Sequence, residues 1–236
     1  MIEVTPRTNV IPVIPETITV HLGPPNAPAE NVTVSFADYV KNVASSEIYP
    51  TWNESALRAN ILAIMSYALN RVYTEYYPSR GYDFDITNTT ARDQAFVSGR
   101  SYFENISQLV DEMLGSYIRR QGSVEPLAAK FCNGTTSTCD GLSQWGSEAL
   151  AQEGLNSFEI LQFYYGDDIE IVSNAPIEGV TESYPGTPLR LGSTGPAVTV
   201  IQVSLNRIAQ SYPAIPKIDP VDGIFGPQTE EAVKVF

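Results

Sequence analysis

Glu47 is the residue whose neighbours suit it best to proton transfer. It ends a helix-like stretch that begins near Phe36 and Asp38, and it is followed by Ile48, Tyr49, Pro50 and Trp52. A carboxyl set among apolar and aromatic groups can hold a proton, hand it to a reacting oxygen and take one back. A single Glu at a helix end also serves as a cap or salt-bridge partner, so both roles stand at this stage. Asp83 and Asp85 lie two apart in Tyr82-Asp83-Phe84-Asp85 and read as a solvated strand face, because two carboxylates do not make a calcium loop. The only histidine, His21, lies in an apolar stretch, which leaves a Ser-His-Asp triad little to work with. Cys132 and Cys139 flank a polar, glycine-bordered loop and read as a disulfide, which implies an oxidising compartment. A zinc site would need about four ligands, and no metal or other cofactor is expected.

Composition narrows the partners. The formal net charge is −13 over 236 residues. Phosphate binding needs clustered Lys and Arg, so nucleic acid is disfavoured, as is an anionic membrane. A neutral or mixed-charge polymer is not. No apolar run approaches the roughly 20 residues of a membrane span. Met1-Ile2-Glu3-Val4-Thr5 has neither a basic nor an apolar region, so no signal peptide is expected.

The elements that must position these residues follow from periodicity and punctuation. Alternation over 16–22 and 31–35, separated by a Gly- and Pro-rich turn, predicts a hairpin. Ser35 or Asp38 caps a helix through Ala44. Asn53 opens a longer one with an apolar stripe from Ala56 to Val72, ended by Pro78-Ser79-Arg80-Gly81. A third helix is predicted over 101–119, with Tyr117 facing inward, and shorter ones over 143–153 and 157–165. Pro and Gly mark 173–188 as a linker. Beyond it, Leu189-Arg190-Leu191-Gly192-Ser193-Thr194-Gly195 precedes a helix over 197–206, and Val221-Asp222-Gly223-Ile224-Phe225-Gly226 precedes a helix opened by Pro227. The fold expected is α+β: a mixed helix/strand catalytic-type domain over 1–172, the linker 173–188, and a small C-terminal module over 189–236.

That C-terminal pattern resembles the three-helix peptidoglycan-binding domain, incomplete at its C-terminus. The resemblance implies wall binding through the turn of Asp222, Gly223 and Phe225. The central region resembles the stage II sporulation protein D family, related to amidase enhancers. Tyr39, Val40, Val43, Glu47, Pro50 and Trp52 fall on that family's first block, with one residue inserted before the proline. The helix from Ala56 to Leu69, the segment from Asp85 through Gln94, Gly141-Leu142-Ser143-Gln144-Trp145-Gly146 and Ile160-Leu161-Gln162-Phe163-Tyr164-Tyr165 match later blocks in order. The family's helix arginine aligns with Met65, and no Cys or His lies in 82–92, where some members bind zinc.

The resemblance implies cleavage of peptidoglycan glycan strands by lytic transglycosylation, with Glu47 as acid and then base. Tyr49, Gln94, Ser143, Gln144 and Trp145 are the implied sugar-binding residues. For Ser143 the competing role is a helix cap, and for Trp145, Tyr164 and Tyr165 it is half-buried core. The partners implied are peptidoglycan glycan strands and other cell-wall hydrolases. The location implied is extracellular, wall- or spore-associated. A wall-binding or amidase-enhancing protein without turnover, or a structural spore component, is the alternative.

Overall fold

Alternating residues of Thr17–His21 (β1) and Asn31–Ser35 (β2) pair antiparallel, Ile18 with Val34 and Val20 with Val32, as predicted. The computed structural model describes residues 11–178, 188–209 and 212–236. The chain divides into two units, Met1–Pro176 and Ile177–Phe236. Most of the predicted linker, 179–187, lies outside the described residues. The fold is α+β, as expected from the sequence.

In the first unit Ile86–Thr87 (β3) adds a short parallel strand to β1, giving the order β2-β1-β3. Ser35, rather than Asp38, caps Phe36–Glu47 (α1): its Oγ accepts from the Asp38 N–H at 3.0 Å and donates to the Asp38 carboxylate at 2.7 Å. Asn53 caps Glu54–Tyr73 (α2). This helix carries more than an apolar stripe. From Ala56 to Asn70 every residue except Arg58 is buried, as in a helix enclosed by the core. Around it pack α1, Glu104–Met113 (α3), Tyr117–Arg120 (β4), Gln144–Gln152 (α4) and Ser157–Tyr165 (α5).

The polar residues buried on α2 fix that packing, because each is satisfied by a different neighbour. Asn60 Nδ2 donates to Ser147 Oγ of α4 at 2.8 Å. Ser66 Oγ accepts the Ile118 N–H of β4 at 2.8 Å. Asn70 Nδ2 donates to the Pro126 carbonyl at 2.8 Å.

Two predicted boundaries move. α2 ends at Tyr73, where Glu75 turns to positive φ, several residues before Pro78. The predicted helix over 101–119 is only α3. Gly115, at φ 98°, breaks it after Met113. Tyr117 is buried, but on β4, which pairs antiparallel with Ile169–Val172 (β7). Phe131–Cys132 (β5) and Leu142–Ser143 (β6) form a two-residue parallel pair.

Among its described residues the second unit holds two of the expected helices, Pro196–Ala209 (α6) and Pro227–Val235 (α7). Leu205, Ile215, Ile218 and Ala232 form its core, with Ile201 and Ile208 packed against it.

Ser66→Ala tests the tie between α2 and β4. It strands the buried Ile118 N–H, so unfolding free energy should fall by about 1–3 kcal/mol. Urea unfolding measures this, and an unchanged midpoint would show that the bond contributes nothing.

Candidate functional site

Glu47 is the last residue of α1, where Ile48 turns the chain to extended backbone. Its side chain is half-buried and held from two sides. Oε1 accepts the Ala95 N–H at 3.1 Å, and Oε2 accepts from Gln144 Nε2 at 3.1 Å. The carboxyl forms part of a groove of about 640 Å³, whose other walls include Ser45, Tyr49, Ala91, Phe131 and Asn133.

Each holder of Glu47 has its own support. Ser143 caps α4, accepting the Gly146 N–H at 3.0 Å, and Gln144 follows it at 2% exposure with only its amide turned to Glu47. A Cβ at Gly146 would overlap the Tyr164 hydroxyl, so a larger residue there would have to displace that side chain. The cap also sets Trp145 outward. Trp145 is 41% exposed and Tyr49 56%, and with Trp52 they form one cluster with centroid separations of 5.0–5.7 Å. Such half-open aromatic faces suit the apolar faces of sugar rings.

Ala95 is held by the residues before it. Asp93 has no exposed side-chain surface, yet it carries a full set of donors. Arg71 Nε reaches it at 2.9 Å, the Tyr77 hydroxyl at 2.6 Å, Thr87 Oγ1 at 2.7 Å and the Thr87 N–H at 3.0 Å. Burial, and then the Asp93 charge, push the Tyr67 hydroxyl above the usual phenol range. Tyr77 is raised by burial and by its hydrogen bond to Asp93. Both therefore stay protonated as donors.

Gln94 follows at 1% exposure. Its Oε1 accepts the Tyr39 hydroxyl at 2.9 Å and its Nε2 donates to the Ile64 carbonyl at 3.2 Å. Burial raises the Tyr39 hydroxyl well above its ordinary value. Gln94, expected from the sequence to bind sugar, thus lies buried with its amide engaged by Tyr39 and Ile64, and it anchors the backbone that leads to Ala95.

The disulfide joins Cys132 and Cys139, with Cα atoms 6.0 Å apart. It closes the loop beside the groove. Other sequence candidates have local duties. His21, 5% exposed, stacks on Phe84 and sits 2.7 Å from Asn31 Oδ1. Asp83 accepts from Asn31 Nδ2, and Asp85 accepts the Thr19 N–H at 2.8 Å. The Tyr165 hydroxyl donates to the Lys130 carbonyl. The sequence reading missed Asp93 and the Ala95 N–H. A charged residue between turns reads as solvated, and a backbone donor leaves no trace in residue type.

In the second unit one amide organises the Asp222–Phe225 turn. Gln202, 1% exposed, donates from Nε2 to Asp222 Oδ1 at 3.0 Å and to the Ile224 carbonyl at 3.0 Å, while its Oε1 accepts the Gly223 N–H at 2.9 Å. Phe225 is 6% exposed and belongs to the interior, whereas Ile224 is 49% exposed. A cleft of about 280 Å³ runs past Asp222, Ile224 and Pro227.

Residues 29–119 match the family model of the stage II sporulation protein, SpoIID. The match supports the SpoIID family and spans β2, α1, α2, β3 and α3, including Glu47 and Asp93. Ser143, Gln144, Trp145 and the disulfide lie beyond it. No curated protein matches the chain.

The Asp222 carboxyl is held below the ordinary carboxylate range, first by the Gln202 amide and then by the Ile224 N–H. A depressed carboxyl contributes stability above its unfolded value, and that contribution is lost as pH falls through the folded one. Asp222→Ala should therefore lower the melting temperature of the C-terminal unit at pH 7, with the gap to wild type closing below about pH 4. A gap constant from neutral to acid pH would contradict this.

Proposed function

We propose that the protein cleaves peptidoglycan glycan strands by lytic transglycosylation, with Glu47 as the one acid–base group. The observation that carries this reading is the Glu47 carboxyl, held by the Ala95 N–H and Gln144 Nε2 in a groove beside the Tyr49–Trp52–Trp145 cluster. Glu47 gives its proton to the glycosidic oxygen as the C1–O bond breaks. The carboxylate then takes the proton of the 6-hydroxyl on the same muramic residue, whose oxygen closes on C1. A 1,6-anhydro sugar leaves, and Glu47 is protonated again. Water takes no part.

Ordinary glycosidases work with two carboxyls about 5–10 Å apart. Among the described residues lining this groove the only other carboxylate is Asp93, whose oxygens are already occupied. That supports a single-acid route. Tyr49 and Trp145 stack sugar rings, and Gln144 positions Glu47. The SpoIID segment and the disulfide support a role at the cell wall during sporulation, outside the reducing cytosol, alongside other wall hydrolases. One observation favours a second reading, glycan binding without turnover: both Glu47 oxygens already accept protein hydrogen bonds.

Glu47→Gln decides between them. It should cut release of anhydro-muropeptides by ~10²–10⁴-fold with the fold and wall binding kept, while Asp83→Asn retains wild-type rates. Mass analysis of products from denuded strands provides the readout. Wild-type turnover by Glu47→Gln would make Glu47 structural, and no anhydro product from the wild-type protein would leave the binding reading.

The C-terminal unit is proposed to hold the protein on its polymer through the exposed rim of the Asp222-Gly223-Ile224-Phe225 turn, raising local substrate concentration. Removing residues 189–236 should lower retention on insoluble wall severalfold in a pull-down. Equal retention would remove this role.

A further inference from the structure

A second cavity, of about 590 Å³, lies beside the Glu47 groove and shares Thr90, Ala91, Asp93 and Phe131 with it. The disulfide borders both, Cys139 on this side and Cys132 on the other. Its character differs. It is lined by Arg71, Arg80, Arg92 and Lys130 together with the rings of Tyr76 and Tyr82, in a chain whose net charge is −13.

Only one carboxylate lines this cavity, Asp93, and it is turned inward onto Arg71. Among the described residues no ion pair engages Arg80, Arg92 or Lys130. Arg80 instead lies over the Tyr76 ring at 4.0 Å, and Arg71 lies over the same ring at 3.8 Å. Arg71 is already paired with Asp93, so the Arg80 guanidinium over the shared Tyr76 ring is the cation left there for an incoming anion to meet. The walls thus offer fork-shaped donors for a carboxylate and tyrosine faces for a sugar, one continuous step from the acid that would cut the chain.

Resting on the glycan-cleavage reading above, we propose that this cavity is a subsite for a carboxylate-bearing sugar residue. Arg80, Arg92 and Lys130 select strands whose sugars carry an acid over uncharged chitin-type strands. The carboxylate has two chemical sources, the sugar's own ether-linked acid or the end of an attached peptide.

Calorimetric titration of the full chain with three probes tests this: chitotetraose, a peptide-free muramyl tetrasaccharide, and the same tetrasaccharide bearing peptides. Wild type should bind at least one muramyl probe roughly tenfold or more tighter than chitotetraose, and the preference should shrink as salt is raised from about 0.05 to 0.5 M. The triple variant Arg80→Gln/Arg92→Gln/Lys130→Gln, its fold checked by circular dichroism, should lose that preference and keep chitotetraose affinity. The peptide-bearing probe carries the sugar's own carboxyl as an amide. A preference for the peptide-free probe alone therefore assigns the sugar's own acid, a preference for the peptide-bearing probe alone assigns the peptide terminus, and a preference for both shows that the pocket takes a carboxylate from either source. Equal binding of charged and neutral probes, no binding of any, or a preference untouched in the triple variant would overturn the proposal. Charge-dependent binding without anhydro product would sink the cleavage reading and leave the subsite standing.

Discussion

The buried carboxylate of Asp93 is the interaction on which the site depends. Removing a charge from water costs several kcal/mol unless it is fully paired and hydrogen-bonded. Here Arg71 from α2, Tyr77 from the turn after it and Thr87 from β3 together satisfy it. The segment after β3 has no regular structure of its own, and Asp93 fastens it to α2 through Arg71, beside the Tyr67 hydroxyl that donates to the Arg92 carbonyl. The next two residues use that anchorage: Gln94 locks onto Tyr39 of α1 and Ile64 of α2, and Ala95 turns its N–H to Glu47. The geometry of the proposed acid is therefore set by a buried charge whose oxygens are taken up by Arg71, Tyr77 and Thr87.

The other side of Glu47 is built by a different device with the same logic. Gln144 is fixed by the Ser143 cap and by the tight passage at Gly146, while Asn60 and Ser147 clamp α4 to α2. Both holders of Glu47 thus trace back to polar residues on the central helix. A buried amide with a full set of partners cannot slide by a residue without leaving a donor or acceptor stranded, so such contacts fix register as well as proximity. Gln202 does the equivalent work in the second unit, where one amide spans the Asp222–Phe225 turn.

Much of the scaffold was legible because it is written in local chemistry. Ser35, Asn53 and Ser143 are N-caps, and the helices that follow start where those residues predict. Helix ends were harder. The long apolar pattern over 101–119 hid the break at Gly115, because Tyr117 and Ile118 are as apolar on a strand as on a helix. The two-residue strands β3, β5 and β6 carry no period at all. In the candidate site, Glu47, Tyr49 and Trp145 were singled out by residue type, and the fold brings them together beside the groove. The burial of Gln94 was not legible, since an amide buried against a phenol and a carbonyl has the same sequence signature as one open to solvent.

Charge distribution ties the two cavities together. A strongly acidic chain repels an acidic polymer at long range, yet it gathers Arg80, Arg92 and Lys130 around one pocket that meets the Glu47 groove at Thr90 and Ala91. Charges farther apart than about a Debye length, 8–10 Å at moderate salt, are largely screened. On the proposed reading, an approaching strand would gain from its acid groups only when they reach this pocket. The register in which they did so would fix which glycosidic bond lies over Glu47. Selection of the bond and recognition of the charge would then be one event, and the Thr90–Ala91 stretch that both cavities share would set the distance between them.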